Sequence, residues 1–358
     1  MKIVTILGTR PEIIKLSPII PLIDKEFDHI LIHTGQHYSY NMDKIFFEEL
    51  GLRNCDYSLN VGSGTHSMQT GKMMIEIENV LLNENPDWVI VQGDTNSTLA
   101  GAITASKLNI KIAHVEAGCR SFDKKMPEEI NRILVDHCSD ILFAPDENAV
   151  KNLAAEGIQK EAIHLVGNTS VDACLRIMDL FNLNRLTELN LEKENYILLT
   201  IHRQENTEYN KLKEIIKAVN QISNRIKVVF PLHLRTKKII EDNNIEISEN
   251  ILQIDPVGYK EFIWLLKNSK FVMTDSGGIQ EESAILNVPC LILRDNTEWE
   301  YLVNMGKTQL VGTNYKNIIS SVSDLLNNNW KLEKMKNIKA PLKKNASKKI
   351  VNILMQYQ

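Results

Sequence analysis

Three carboxylates stand where this chain could move protons. Asp94 lies in Gly93-Asp94-Thr95-Asn96, Glu116 in His114-Val115-Glu116-Ala117-Gly118, and Glu128 in Pro127-Glu128-Glu129-Ile130-Asn131-Arg132. The first two directly follow short apolar runs of strand type, and the third opens an amphipathic segment. Carboxylates gathered at one rim push their pKa values apart, so one can accept a proton while another donates. Each residue also has a plainer use. Asp94 suits a turn beside a helix cap at Thr95, and Glu128 and Glu129 suit a first helical turn stabilised by the helix dipole, the preferred reading for Glu129.

A second group of residues suits a phosphate. Asp275-Ser276-Gly277-Gly278-Ile279-Gln280-Glu281-Glu282 follows the apolar run Phe271-Val272-Met273 and leads into a helical segment. The first N–H groups of a helix lack intrahelical acceptors and lie at the positive end of its dipole, which is where phosphate binds. Gly277 and Gly278 let a ligand approach the backbone, and Glu282, a turn further on, has the reach of a ribose diol. An ordinary strand-to-helix turn accounts for the same residues. Gly8-Thr9-Arg10-Pro11-Glu12-Ile13-Ile14-Lys15 offers a glycine turn, a proline suited to the first helical position and two cations as a diphosphate grip. His202-Arg203 ends another strand-like run and suits a pyrophosphate or a proton transfer, and His233-Leu234-Arg235 repeats the pattern more weakly.

The elements that would position these groups alternate. β-branched runs at Ile3 to Leu7, His29 to His33, Trp88 to Gln92, Lys111 to Val115 and Ile141 to Ala144 are separated by helix-length amphipathic stretches. A second series runs through Tyr196 to Ile201, Ile226 to Pro231, Ile251 to Ile254, Lys270 to Thr274 and Pro289 to Leu293. This is the signature of α/β folding with parallel sheets covered on both faces. Two Rossmann-like doubly wound domains are expected, residues 1–168 and 169–341, with the break near Gly167, where a further strand Ile163 to Val166 ends, and a C-terminal helix in 342–358 that packs back on the first domain in one reading. Periodicity alone leaves its docking partner open. The polar stretch Asn182 to Asn195 reads as a surface connection, and the lysine-rich stretch Lys331 to Lys349 as a solvated face. Ligands in such sheets sit beyond the carboxyl ends of the strands, where the carboxylates and the glycine loop both fall.

Composition narrows the classes. The 358 residues are 43% hydrophobic and 24% charged with a net charge of −4, which describes a soluble globular protein with no general attraction to nucleic acid or an anionic membrane. Cys55, Cys119, Cys138, Cys174 and Cys290 form no C-x-x-C pair, so neither a zinc cage nor a disulfide framework is indicated. A reducing cytoplasm is the expected setting, and no apolar run reaches the length of a membrane span. The nicotinamide-type G-x-G-x-x-G is absent. Tyr40 and Lys44 match a dehydrogenase spacing without its glycine fingerprint, and His33 and His37 straddle a loop, so neither a redox cofactor nor a metal is expected.

Taken in order, G-T-R-P-E-I-I-K, Q-G-D-T, H-V-E-A-G, P-E-E-I-N-R, His202-Arg203 and D-S-G-G-I-Q-E-E resemble the non-hydrolysing UDP-N-acetylglucosamine 2-epimerases, over most of the chain. The resemblance implies the GT-B fold, with a cleft between two Rossmann-like domains. It implies UDP held by Arg10, His202, Ser276, Gly277, Gly278 and Glu282 with Phe262 against uracil, and Arg203 and His233 alongside. Asp94, Glu116 and Glu128 become the catalytic carboxylates, supported by Lys15, Arg132 and His202. The reaction implied is loss of UDP to a 2-acetamidoglucal and its return with inversion at C2, without a cofactor, in a cytoplasmic homodimer serving cell-surface polysaccharide synthesis. A modified UDP-sugar such as a 2,3-diacetamido uronic acid is a close alternative. A hydrolysing epimerase, a GT-B glycosyltransferase and a silent UDP-sugar sensor fit less of the pattern. Some positions depart from the family. Trp299 and Glu300 replace an arginine and a proline, 340–345 lacks the glycines of P-Y-G-D-G, and of a glutamine pair tied to allosteric activation only Gln36 is present, its partner falling in Tyr38-Ser39-Tyr40.

Overall fold

The computed structural model describes residues 1–36, 40–179, 185–297 and 299–358. Expectations that touch His37, Tyr38, Ser39, residues 182–184, Glu298 and the side chain of Tyr40 lie outside the described residues.

Among the described residues, thirteen strands form two sheets. The first contains β1 (Lys2–Leu7), β2 (Asp28–His33), β3 (Tyr57–Ser58), β4 (Trp88–Gln92), β5 (Lys111–Val115), β6 (Ile141–Ala144) and β7 (Ile163–Leu165) in the order β3-β2-β1-β4-β5-β6-β7. The second contains β8 (Tyr196–Thr200), β9 (Lys227–Pro231), β10 (Ile251–Ile254), β11 (Phe271–Thr274), β12 (Cys290–Ile292) and β13 (Thr308–Leu310) in the order β10-β9-β8-β11-β12-β13. Every pairing is parallel. Parallel strands are covered on both faces, so the central ones are apolar throughout: β4, β6, β8 and β11 bury every residue.

The expected α/β class with two doubly wound parallel sheets is what the chain adopts. Two edge strands, β3 and β13, go beyond the strands expected. They are two and three residues long and carry no stretch of alternating or continuous apolar residues.

By internal contacts the chain forms two compact units, residues 1–176 with 342–358, and residues 177–341. In the first unit Met73, Ile77 and Leu81 of the helix His66–Glu84 and Ala100, Ala102 and Ala105 of the helix Asn96–Lys107 pack on Val4, Ile6, Val89 and Val91. In the second, Leu212, Ile215, Ile216 and Val219 cover Ile197, Leu199 and Phe230. The C-terminal helix Ala346–Leu354 buries Ile350, Val351 and Leu354. Its first turn is held by Asp172, which accepts bonds from the Asn345 and Ser347 amides and the Ser347 hydroxyl, each at 2.8 Å.

In both sheets the strand order reverses direction once, between β1 and β4 and between β8 and β11. Crossovers leave those points on opposite faces, which opens a crevice at the carboxyl ends of the strands.

Candidate active site

At the first reversal point the residues following β1, β4 and β5 come together in paired charges. The turn after β1 runs through Thr9 into the helix Arg10–Leu16, with Pro11 in its first turn where a missing N–H costs nothing. Lys15 Nζ lies 2.7 and 2.6 Å from the two carboxylate oxygens of Glu116, and Gln92 Nε2 donates to Glu116 Oε2 at 2.6 Å. Arg10 instead lies over the Phe46 ring, 4.7 Å from its centroid. The two cations read from sequence as one diphosphate grip are therefore divided, and Lys15 is the counter-ion of a carboxylate.

Asp94 has its own cation. Arg132 Nε and Nη2 reach Asp94 Oδ2 at 2.9 and 2.5 Å, while Nη1 reaches Glu129 at 2.8 Å. Asn131 donates to the Asp94 carbonyl at 2.8 Å. Glu128 is half-buried, and its carboxylate makes no hydrogen bond or ion pair among the described residues. Glu129 is a fully engaged neighbour that accepts from the Ser121 amide, the Ser121 hydroxyl and the Phe122 amide at 2.8, 3.0 and 2.9 Å. Burial pushes its pKa up, but these donors and Arg132 outweigh burial and hold it below the usual carboxylate range. Glu12 differs: it is buried, and burial raises its pKa although Gly8, Thr95 and Thr98 all donate to it. The three rim acids are thus not a shared-proton cluster. Two are pinned by separate cations and one is open.

Gln36 Oε1 accepts from the Ser97 amide at 2.9 Å and hydroxyl at 2.7 Å. It is buried, tying a loop to the start of the helix Asn96–Lys107.

The second reversal point is built on backbone donors. Asp275, directly after β11, is fully buried, and its carboxylate accepts from the His202 amide (3.2 and 3.1 Å), the Arg203 amide (3.0 Å) and Asn206 Nδ2 (3.2 Å). The His202 ring leans toward it, Nδ1 to Oδ1 3.3 Å, and remains partly open to solvent. The His233 ring lies 6.1 Å from the His202 ring and accepts the Arg235 amide at 3.2 Å as an N-cap. Burial, then His202 and Arg235, lower its pKa.

Ser276 caps the helix Gly277–Ile285 without a side-chain bond, its amide turned to Thr274 Oγ1 at 3.0 Å. The space where a Gly278 Cβ would stand is open, leaving the helix N-terminus accessible. Arg203, Phe262 and Glu282 are half-buried, Phe262 in the first turn of the helix Tyr259–Asn268 and Glu282 in the second of Gly277–Ile285. Trp299 and Tyr301 meet edge to face at 6.1 Å, at the position where the sequence resemblance implies an arginine, while Arg294 is buried beside Glu205 at 3.8 Å.

Gln92, Asp275 and Asn206 were not singled out from sequence. The available signal was modest: a polar residue closing an otherwise apolar strand, and an aspartate just before the glycine loop.

A family model described as UDP-N-acetylglucosamine 2-epimerase matches residues 23–355. The chain belongs to the UDP-N-acetylglucosamine 2-epimerase family. A Methanococcus maripaludis UDP-N-acetylglucosamine 2-epimerase is 52% identical over 92% of this chain and 92% of its own. A Pseudomonas aeruginosa UDP-2,3-diacetamido-2,3-dideoxy-D-glucuronate 2-epimerase is 47% identical over 90% of this chain and 91% of its own. The crystal structure of the Methanocaldococcus jannaschii UDP-GlcNAc 2-epimerase in complex with UDP-GlcNAc and UDP superposes with a TM-score of 0.85 at 50% identity, covering 100% of both chains. Membership of this epimerase family makes the chain an enzyme and its two units GT-B-type Rossmann-like folds. Among the described residues no helix is long and apolar enough to cross a membrane.

Proposed function

We propose that this enzyme interconverts UDP-N-acetylglucosamine and UDP-N-acetylmannosamine by eliminating and re-adding UDP. The observation that carries the reading is the pair of strand-tip carboxylates, Asp94 and Glu116, each pinned by a separate cation. The C2 hydrogen of the sugar is not adjacent to a carbonyl, so a carboxylate cannot remove it directly at useful cost. Breaking the C1–O bond first sends its electron pair to the departing diphosphate and leaves an oxocarbenium-like C1. The C2 proton then passes to a carboxylate, and the C–H electrons become the C1=C2 bond of a 2-acetamidoglucal. A second acid group, in exchange with solvent, then delivers a proton to the opposite face of C2 as a diphosphate oxygen of UDP re-forms the bond to C1, which completes the inversion. Asp94, Glu116 and Glu128 carry the proton steps, supported by Lys15, Arg132 and His202. Arg10, Arg203, His233, Phe262, Ser276, Gly277, Gly278 and Glu282 hold UDP, the helix N-terminus meeting the diphosphate charge that grows as the bond breaks. No redox cofactor enters this balance.

The division of labour largely follows the sheets: the carboxylates that move the proton lie in the first unit, and most of the groups that hold UDP lie in the second, with Arg10 and His202 as the exceptions. Incubation with UDP-N-acetylglucosamine in deuterium oxide, followed by NMR, tests it. Deuterium at C2 with UDP still attached is expected; free UDP without a nucleotide epimer would overturn it and favour a hydrolase or a glycosyltransferase. The Pseudomonas relative supports a second reading, 2-epimerisation of a UDP-2,3-diacetamido uronic acid, and a higher kcat/KM on that substrate would select it.

We further infer a cytoplasmic homodimer. Met68, Ile75 and Leu82 are exposed along one stripe of the helix His66–Glu84, with Ile130 and Leu134 exposed on the helix Pro127–Cys138. Met68 and Leu82 are equally distant from Ile75, so an antiparallel twofold at Ile75 matches apolar to apolar. Light scattering should report a dimer that Ile75→Lys reduces to a monomer.

A further inference from the structure

We propose that His114, a residue distant from any substrate role assigned above, is the positioning residue that sets Asp94 and Glu116 relative to one another. The proposal rests on the epimerase reading and deepens it.

The ladder between β4 and β5 ends with Gln92 opposite Val115 and a last bond from the Gly93 amide to the Val115 carbonyl at 3.0 Å. Both catalytic carboxylates lie one residue beyond those positions, where each chain leaves the sheet. The departures are tight. Gly93, Glu116 and Gly118 have φ of +74°, +72° and +80°, and a glutamate in the left-handed region costs on the order of 1 kcal/mol that its surroundings must offset. A Cβ on Gly118 would come within 2.4 Å of the Ala149 carbonyl, so the turn after Glu116 has no slack on that side.

His114 spans this gap. Its ring is buried, two residues before Glu116, and Nε2 lies 2.8 Å from the carbonyl of Gly93, the residue before Asp94. A carbonyl only accepts, so Nε2 carries a proton there. The other nitrogen, Nδ1, lies 2.7 Å from Asp136 Oδ1. Asp136 is fully buried, and its second oxygen accepts from Arg120 at 2.7 Å and from the Gly118 amide at 3.1 Å. Arg120 is in turn gripped by both oxygens of Glu156 at 2.7 Å. One imidazole therefore ties the β4 tip before Asp94 to the β5 tip before Glu116, and Asp136 ties the same ring to the turn after Glu116.

Nothing in this chain of contacts touches the rim itself, and that separates positioning from chemistry. Lys15 and Arg132 hold the carboxylate heads; His114 holds the backbone beneath them. Buried ion pairs of this kind are weak as net stabilisers but demanding in geometry, which suits a part whose role is placement. A misplacement of about 1 Å between catalytic groups costs on the order of 100-fold in rate.

The test compares wild type, His114→Ala and His114→Gln on UDP-N-acetylglucosamine. It measures kcat, UDP affinity by calorimetry, and free UDP released per epimer formed. Turnover by wild type comes first, because its absence sinks the epimerase reading and not the role of His114. Given turnover, His114→Ala should lower kcat by about 100-fold with UDP affinity within about 2-fold, and should release more free UDP per epimer because the intermediate waits longer for its proton. His114→Gln, whose amide can still donate to the Gly93 carbonyl, should recover about 10-fold of that loss. If His114→Ala fails to fold, His114→Gln and Asp136→Asn are held to the same reading: kcat falls while UDP affinity stays. A kcat unchanged in the variants that fold, or kcat and UDP affinity falling together, overturns the proposal.

Discussion

The two strand reversals use the same topology for opposite electrostatics. At the first, aspartate and glutamate heads stand at the rim and side-chain cations meet them: Arg132 on Asp94, Lys15 on Glu116. At the second, the acid equivalent in position, Asp275, is fully buried and is met almost wholly by amides, so it contributes loop shape and offers no group to a ligand. What faces outward there is a helix N-terminus with open space over Gly278. The lesson is that one topology places an acid at the same kind of strand tip twice, while the partners of that acid decide whether it stands at the rim beside a cation or braces a loop from within.

The comparison breaks most visibly in catalysis. Asp94→Asn and Glu116→Gln should each lower turnover by about 10²- to 10⁴-fold while UDP binding by calorimetry changes little. An equal loss of binding would make the first reversal a binding site like the second. Gly278→Leu, which fills the space over the helix N-terminus, should weaken UDP by about 10-fold or more without changing the melting temperature of either unit. An unchanged UDP affinity would mean the diphosphate lies elsewhere.

Asp275→Asn should act on stability first. A neutral amide accepts these donors less well and adds N–H groups to a site already crowded with them, at a cost of about 1–3 kcal/mol. The expected reading is a lower denaturant midpoint for the second unit with the first unaffected.

Smaller are the pH responses, which run in the same direction in two different pH windows. In the first unit, burial raises the pKa values of Asp136 and Glu129, yet His114 and Arg120 on one and the Ser121, Arg132 and Phe122 donors on the other hold both below the ordinary carboxylate range. A depressed folded pKa gives stability that is present above the unfolded value of about 4 and lost as pH falls, so this unit should weaken in acid. In the second unit, Lys307 is fully buried, donating at 3.0 Å to Asn287 Oδ1 and to the Lys336 carbonyl, and burial with Lys267 nearby brings its pKa down to about 8. Between that value and the unfolded value of about 10.4 the unfolded chain holds more protons, so stability should rise with pH across that window, by on the order of 2 kcal/mol. Lys307→Met should abolish the rise in urea titrations from pH 8 to 10, and a rise that persists would assign it to another group.

Much of this was legible in the chain itself because it is periodic or local. Apolar runs bounded by glycine and aspartate located eleven of the thirteen strands, and a strand followed at once by Ser276-Gly277-Gly278 exposes its use within a few residues. Pairings across sequence were not. Lys15 and Glu116 are 101 residues apart and Arg132 and Asp94 are 38 apart, and the parallel ladder that brings them together leaves no repeat in the sequence around them. His114 was visible only as part of a motif; its partner Asp136 sits 22 residues on, inside a helix, where an aspartate reads as a surface residue until its burial is known.

The connection between the units carries a consequence of its own. The chain leaves the first unit after Arg176 and re-enters it at Leu342, and Asp172 receives the Asn345 amide at 2.8 Å, so exit and return lie side by side. The second unit is therefore a cassette inserted into the first. Residues 1–176 and 342–358 both belong to its host, with Tyr357 against Trp88, whose strand partner is Ile3. During synthesis the host cannot be completed until the cassette has emerged. Residues 342–358 then act as the clasp that closes it, and a chain cut short before Leu342 would keep Asp94, Glu116 and Glu128, the carboxylates proposed to move the proton, while losing the closure of the unit that holds them.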